Sequence, residues 1–504
     1  MSDPRAVYEQ VCDHVRKTTL FRSLDELMGW DERVNLPPAA GDYRAEQMTA
    51  LAGLVHGRWT DPRFVSLLNE LASSELAADA ESDTAVTIRE LKRDVDRRTK
   101  LPQRLVEELA RLGVLGQQAW QSARAKNDWE SFRPLLERIV KLKQEEAQAL
   151  GFAESPYDDL LDEFEPGELT SNVSRVLEGL RADLVPLVAA IWASGREPDI
   201  SLLTREYPIP VQEQFGRTAA AKIGFEFERG RLDVTAHPFC STLGPHDHRL
   251  TTRYDTHQFN EGFFGILHEA GHGIYEQGLS PDHYGFPLGE ATSLGIHESQ
   301  SRMWENFVGR SRAFWDYFYP QAQAAFPAAL GGVRLDDFFF AVNDVRPSLI
   351  RVEADEATYN LHILVRFELE QALIAGTLEV ADLPEAWNQK YRDYLGIESP
   401  DYADGVLQDI HWSGCAIGYF STYALGNLYA AQFYAQADRD LGGLDAQFAQ
   451  GDFRPLREWL REKIHLQGRR YRAAQLVQRV TGEPLSHKPL LEHLRGKLGP
   501  LYGI

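Results

Sequence analysis

The stretch Asn260–Gly278, NEGFFGILHEAGHGIYEQG, decides how the rest of the chain is read. Phe263, Phe264, Ile266 and Leu267 pack inward at helical spacing, while His268, Glu269 and His272 form the polar group. Residues four apart on a helix project along nearly the same face, so His268 and His272 can both reach one metal ion. Glu269 points about 100 degrees around from His268, close enough to contact a water at that metal without binding the metal itself. In a chain with 15 histidines and 75 acidic residues, chance alone produces this His-acid-x-x-His pattern about 0.07 times. Two histidines without a metal are therefore the alternative, and context has to decide.

Twenty-five residues separate His272 from Glu298, and Gly295–Gln300, GIHESQ, opens an amphipathic stretch containing Met303, Trp304 and Phe307. A second helix can bring Glu298 beside the first, completing two imidazoles and one carboxylate with a fourth position open to water. His297 is the rival ligand. Glu298 is preferred because catalytic zinc commonly takes the mixed set, with His297 left to orient a neighbour.

With 504 residues the chain can bury a large core and hold more than one domain or lobe. Cys12, Cys240 and Cys415 are few, odd in number and far apart, which argues against a disulfide framework and against a cysteine-built zinc site. Neither the first twenty residues nor the apolar run Leu184–Ala193 reads as a signal peptide or a membrane span, so a cytoplasmic protein without a membrane partner is expected. The formal charge of -22 opposes binding to a phosphate backbone and makes nucleic acid a poor partner.

Helical periodicity dominates, over residues 6–27, 43–57, 84–127, 132–151, 172–194 and 209–226 before the motif. After it, helices are expected over 291–320, 335–345, 355–376, 384–393, 412–436 and 454–476. Between 231 and 254, LDVTAHPFC and DHRLTTRYD alternate over short distances and predict a small sheet. A mainly α enzyme with a minor β-sheet follows, and a split near 240 is weakly marked.

Five ordered blocks carry a more specific likeness: Asp247–Thr251 (DHRLT), His268–His272 (HEAGH), His297–Gln300 (HESQ), Ile350–Asp355 (IRVEAD) and Gly405–Trp412 (GVLQDIHW). With them the chain resembles the thermostable metallocarboxypeptidase family typified by carboxypeptidase Taq. His237-Pro238-Phe239 and Gly29-Trp30-Asp31 with Arg44 extend the likeness over nearly the whole chain, although Arg33–Pro37 departs from it. The resemblance implies a helical zinc-peptidase fold with a deep active-site groove. It also implies one catalytic domain over 1–504, with two helical lobes around a central cleft as one arrangement. The implied protein is a homodimer that removes residues singly from peptide C-termini with broad specificity.

In that chemistry zinc, for which cobalt can substitute, polarises water and the scissile carbonyl, while Glu269 accepts the water proton. Tyr419 and Tyr423, one helical turn apart, are candidate donors to the oxyanion, and Tyr423 is preferred by resemblance to other helical zinc peptidases. A carboxypeptidase also needs a cation for the terminal carboxylate. Arg351 is the first choice and Arg249 the second, because a guanidinium can grip a carboxylate through two hydrogen bonds. Either arginine could instead pair structurally with Asp247, Glu353 or Asp355. His237, Gln408, Asp409 and His411 are expected to bind peptide backbone or to orient other groups. A zinc oligopeptidase that cuts internally and a noncatalytic helical scaffold are the competing readings.

Overall fold

Prolines and capping side chains set where the helices begin and end. In the computed structural model, which describes residues 3–504, Asp3 caps a 31-residue helix, Pro4–Val34, with proline at its first turn. Asp61 and Ser155 start the helices Pro62–Ala72 and Pro156–Asp162 in the same way. Those two helices, and Lys488–Tyr502 near the end of the chain, were not anticipated from periodicity.

The expected helix over 84–127 is two helices, Asp83–Lys100 and Gln103–Lys126. Leu101 is extended before Pro102, as a residue preceding proline prefers. That break divides the core. Val7, Val11, Val15, Phe64, Leu68, Leu71, Ile88, Leu91 and Val95 form one apolar cluster among the N-terminal helices. Nearly all remaining buried apolar side chains, from Leu105 to Tyr502, belong to a second, larger cluster. The packing boundary therefore falls near 101 instead of 240.

The sheet has strands β1 (Gly230–Val234), β2 (Cys240–Gly244) and β3 (Asp247–Thr252), in the order β1-β3-β2. β2 and β3 form an antiparallel hairpin, whereas β1 runs parallel to β3. The motif helix, Phe259–Gly278, follows the sheet, and Phe259, Phe263, Ile266 and Ile274 bury its apolar face in the larger core.

The expected helix over 291–320 is also interrupted. Its first part is the helix Leu294–Arg302, its second a π-helical stretch Met303–Val308, and its third the helix Arg312–Ala325. The region predicted helical over 412–436 holds only a short turn at His411–Gly414 before the helix Ser421–Leu441 begins. Residues 454–476 likewise divide into Arg454–Lys463 and the start of Ala473–Thr481, across Gly468 at φ 51 and ψ -138. Among the described residues no helix is long and apolar enough to cross a membrane.

Candidate active site

The helix Leu294–Arg302 is wedged between the motif helix and Ser421–Leu441, and glycine makes both approaches possible. A Cβ on Gly271 would stand 2.5 Å from the Gln300 carbonyl oxygen, and one on Gly426 would stand 2.5 Å from Glu298 Cγ. This packing brings Glu298 Oε2 to 3.7 Å from His268 Nε2 and 3.5 Å from His272 Nε2. Ligands around a tetrahedral zinc are separated by about 3.4 Å. All three donor atoms lie within 4.8 Å of one another, so the donor chemistry and the spacing both fit a zinc ion.

Partners behind these three donors fix their aim. His268 Nδ1 is 2.8 Å from Glu305 Oε2, and Glu305 is itself held by Arg302 Nη1 at 3.1 Å. The proton therefore sits on Nδ1, leaving the Nε2 lone pair for a metal. Arg302 Nε also donates to Glu298 Oε1 at 2.6 Å. Burial opposes ionisation of Glu298, but Arg302 and the two histidines hold its carboxyl well below the usual range. Burial likewise opposes ionisation of Glu305, which Arg302 and His268 bring down to about 2. His297 lies outside this donor group, with Nδ1 2.6 Å from His272 Nδ1 and Nε2 2.9 Å from Glu276 Oε1. Glu269 follows His268 on the motif helix, and burial pushes its carboxyl up to about 7.

Arg351 belongs to a second polar cluster joined to the first by aromatic rings. Its Nε and Nη2 donate to Asp409 Oδ1 at 2.9 and 2.8 Å, and Nη1 donates to the Tyr359 hydroxyl at 3.0 Å. Arg366 binds the other oxygen of Asp409 at 2.6 Å. The Tyr359 ring in turn lies beneath Arg302, 4.4 Å from its guanidinium carbon. Two buried arginines thus share one carboxylate, and burial lowers His411 to about 4, leaving it neutral near pH 7. The cluster carries a surplus of one positive charge. Tyr423 stands beside it, with its ring 5.2 Å from the Arg351 guanidinium carbon and its hydroxyl 3.4 Å from His411 Nε2. Tyr419 stacks edge-on against Tyr423 with centroids 5.3 Å apart.

The remaining sequence candidates lie differently. Gln408 accepts from Arg351 N and Arg366 Nη2, and its amide nitrogen donates to the Leu349 and Asp404 carbonyls. With both ends of the amide used inside the protein, Gln408 braces the arginines and has no polar atom left for peptide. Arg249 pairs in two places with Asp247 on its own strand and lies 4.2 Å from the Trp30 ring. His237 is exposed in the loop between β1 and β2.

A family model for carboxypeptidase Taq (M32) metallopeptidases matches residues 10–498. This chain belongs to that family. It is 49% identical over 510 residues to thermostable carboxypeptidase 1 of Thermus thermophilus, covering 99% of this chain and 100% of the relative. It is 39% identical to carboxypeptidase 1 of Bacillus subtilis, covering 97% of each. A crystal structure of an M32 carboxypeptidase from Deinococcus radiodurans superposes with a TM-score of 0.96 at 41% identity, covering 99% of this chain and 100% of that one. The chain is accordingly a metallocarboxypeptidase with a mainly helical fold and a small sheet.

Several residues of this metallocarboxypeptidase escaped the sequence reading. Glu305 carried a usable signal, because it lies seven residues after Glu298 on what reads as one continuous helix. Glu305 lies in the π-helical stretch, and its carboxylate reaches His268. Arg302 also carried a signal, because Glu298 and Glu305 stand four residues before it and three after it on a helix. Tyr359 and Arg366 carried none, since nothing in their local spacing identifies Arg302 and Asp409 as partners.

Proposed function

We propose that this metallocarboxypeptidase uses zinc, held by His268, His272 and Glu298, to release C-terminal amino acids from peptides with broad side-chain tolerance. The observation that carries the reading is the convergence of those three donor atoms beside Glu269, with a surplus-charged arginine cluster nearby. Bound there, zinc supplies Lewis-acid polarisation of water and of the scissile carbonyl, and cobalt can take its place.

The chain's own groups supply the rest. Glu269 takes a proton from the attacking water and returns it to the departing amine, the transfer that a positioned carboxylate supplies. Burial raises the Tyr423 hydroxyl well above its usual range, so it stays protonated and able to donate to the developing oxyanion, with Tyr419 beside it. Arg351 has five N–H groups, of which three are engaged by Asp409 and Tyr359. The two left, one on each terminal nitrogen, suit a peptide's free carboxylate. Arg249, neutralised by Asp247, is the weaker candidate for that anchor, and His411 orients Tyr423.

The two packing clusters support one catalytic domain whose N-terminal helices form one lobe of a cleft. A polar cavity of about 290 Å³ lies between them, lined by Arg22, Glu26, Cys240 and His297 among others. The family resemblance supports a homodimer working in the cytoplasm. Chelation is expected to abolish release of free amino acids, and zinc or cobalt to restore it. His268→Ala, His272→Ala and Glu298→Ala should each purify with little metal. Full, tightly held metal in all three variants would overturn the ligand assignment.

A further inference from the structure

His268, His272 and Glu276 are spaced four apart on the motif helix and share one face. The first two are ligands in the proposal above; the third is a carboxylate one turn further on. Between His272 and Glu276 stands His297, from the neighbouring helix, in contact with both. The far oxygen of Glu276 meets Thr242 Oγ1 at 3.0 Å, and the same hydroxyl is 3.1 Å from His248 Nδ1. Thr242 and His248 are opposite partners across the β2–β3 hairpin. An unbroken row of hydrogen bonds therefore runs from the sheet to the metal centre.

The direction of every proton in that row is determined. His272 must keep the Nε2 lone pair free for a metal, so its proton is on Nδ1 and is donated to His297 Nδ1. His297 then carries its own proton on Nε2 and donates it to Glu276 Oε1. A carboxylate only accepts, so Thr242 spends its hydroxyl proton on Oε2 and accepts from His248 Nδ1–H. All donors point toward Glu276. His268 receives the same support from Glu305 in a single step, whereas His272 reaches its carboxylate through one intervening imidazole.

We propose that Glu276 and Thr242 are positioning residues for His272, acting through His297, so that strand β2 sets the tautomer and the aim of a metal ligand. The chain gives His297 a task other than ligation. It also gives His248, which is 2% exposed on β3, a function beyond filling the core. It makes the sheet a mechanical support of the metal centre, because a displacement of β2 changes the hydrogen bond that holds Glu276.

The inference rests on His272 being a metal ligand, and its test separates the two claims. The probe is zinc alone, measured by competition with a chromophoric chelator, alongside the thermal stability of each metal-free protein. Glu276→Leu is expected to weaken zinc binding about 10- to 100-fold, the usual effect of losing a partner behind a ligand. Thr242→Val keeps the side-chain shape and should weaken it about 2- to 10-fold, with Thr242→Ser restoring wild-type affinity. In a His297→Phe background Thr242→Val should add nothing, since the path is already cut. Wild-type zinc affinity in Thr242→Val, no rescue by serine, or full additivity with His297→Phe would each overturn the proposal. If His272→Ala kept wild-type zinc affinity, the ligand assignment itself would fall; if it lost zinc while Thr242→Val did not, only the relay would.

Discussion

Replacing Arg351 with alanine separates peptide hydrolysis from recognition of the peptide's end. Arg351 and Arg366 share Asp409, so the buried cluster holds one positive charge more than it needs. Truncating Arg351 leaves Arg366 and Asp409 as a matched pair and removes only the surplus. Loss of a charge-assisted contact to a terminal carboxylate costs about 1.5 to 3 kcal/mol, or roughly 10- to 150-fold in kcat/KM. The assay compares matched peptides bearing a free or an amidated C-terminus, in wild type and Arg351→Ala, at equal zinc content. Wild type should strongly prefer the free acid, and the variant should lose most of that preference while still hydrolysing peptide. The reciprocal change, Asp409→Ala, leaves two buried arginines without a carboxylate and should destabilise the fold by about 3 to 5 kcal/mol. An unchanged preference in Arg351→Ala would refute the anchor and move the test to Arg249. Efficient internal cleavage of amidated peptides by wild type would replace the proposed exopeptidase action with that of an oligopeptidase.

Glu269→Gln should keep its zinc and lose roughly two to four orders of magnitude in kcat, and near-normal turnover by the fully metallated variant would exclude Glu269 as the base. Gly426→Ala places a methyl 2.5 Å from Glu298 Cγ, so metal affinity and thermal stability should both fall, by about 1 to 3 kcal/mol for the overpacking. Unaltered zinc binding in that variant would mean that the helix carrying Glu298 can move aside without consequence. Glu165 is fully buried, and burial raises its carboxyl from 4.5 to about 7 despite hydrogen bonds from Ser293, Tyr429 and Gly295. Its contribution to stability is present below pH 4.5 and is lost as pH rises through about 7. Thermal melts should show wild type losing ground to Glu165→Gln between pH 5 and pH 8, and a constant difference across that range would contradict the assignment.

The parts of the fold that periodicity describes were legible, and the parts it cannot describe are those where the backbone changes course. Apolar spacing runs without interruption through Leu101-Pro102, so 84–127 reads as one helix until proline's missing N–H and its demand on Leu101 are given priority. Alternation located the strands but not their pairing. Only β2 and β3 are joined by a tight turn; the parallel partnership of β1 with β3 depends on the route of the loop at 235–239, which has no repeating signal. Gly271 and Gly426 read as ordinary helical glycines, yet each marks a place where another helix comes within van der Waals reach of the backbone.

Within the site, the same contrast separates what one helix arranges from what several must assemble. His268, Glu269 and His272 are related by helical geometry alone, and spacing was sufficient to place them together on one helix. Arg351 shows why spacing fails elsewhere. Its nearest acidic neighbours along the chain are Glu353 and Asp355, the partners a local reading offers. Asp355 instead accepts the Ala357 and Thr358 N–H groups and the Thr358 hydroxyl, just before the helix Tyr359–Ala375, where unpaired backbone donors need an acceptor. With that carboxylate committed to the backbone, Arg351 pairs with Asp409, 58 residues away, which Arg366 also binds. The demand of a helix terminus thus takes one of the two local acids away from the arginine. Because Asp409 is shared, the arginine proposed to meet the substrate belongs to a cluster that retains positive charge.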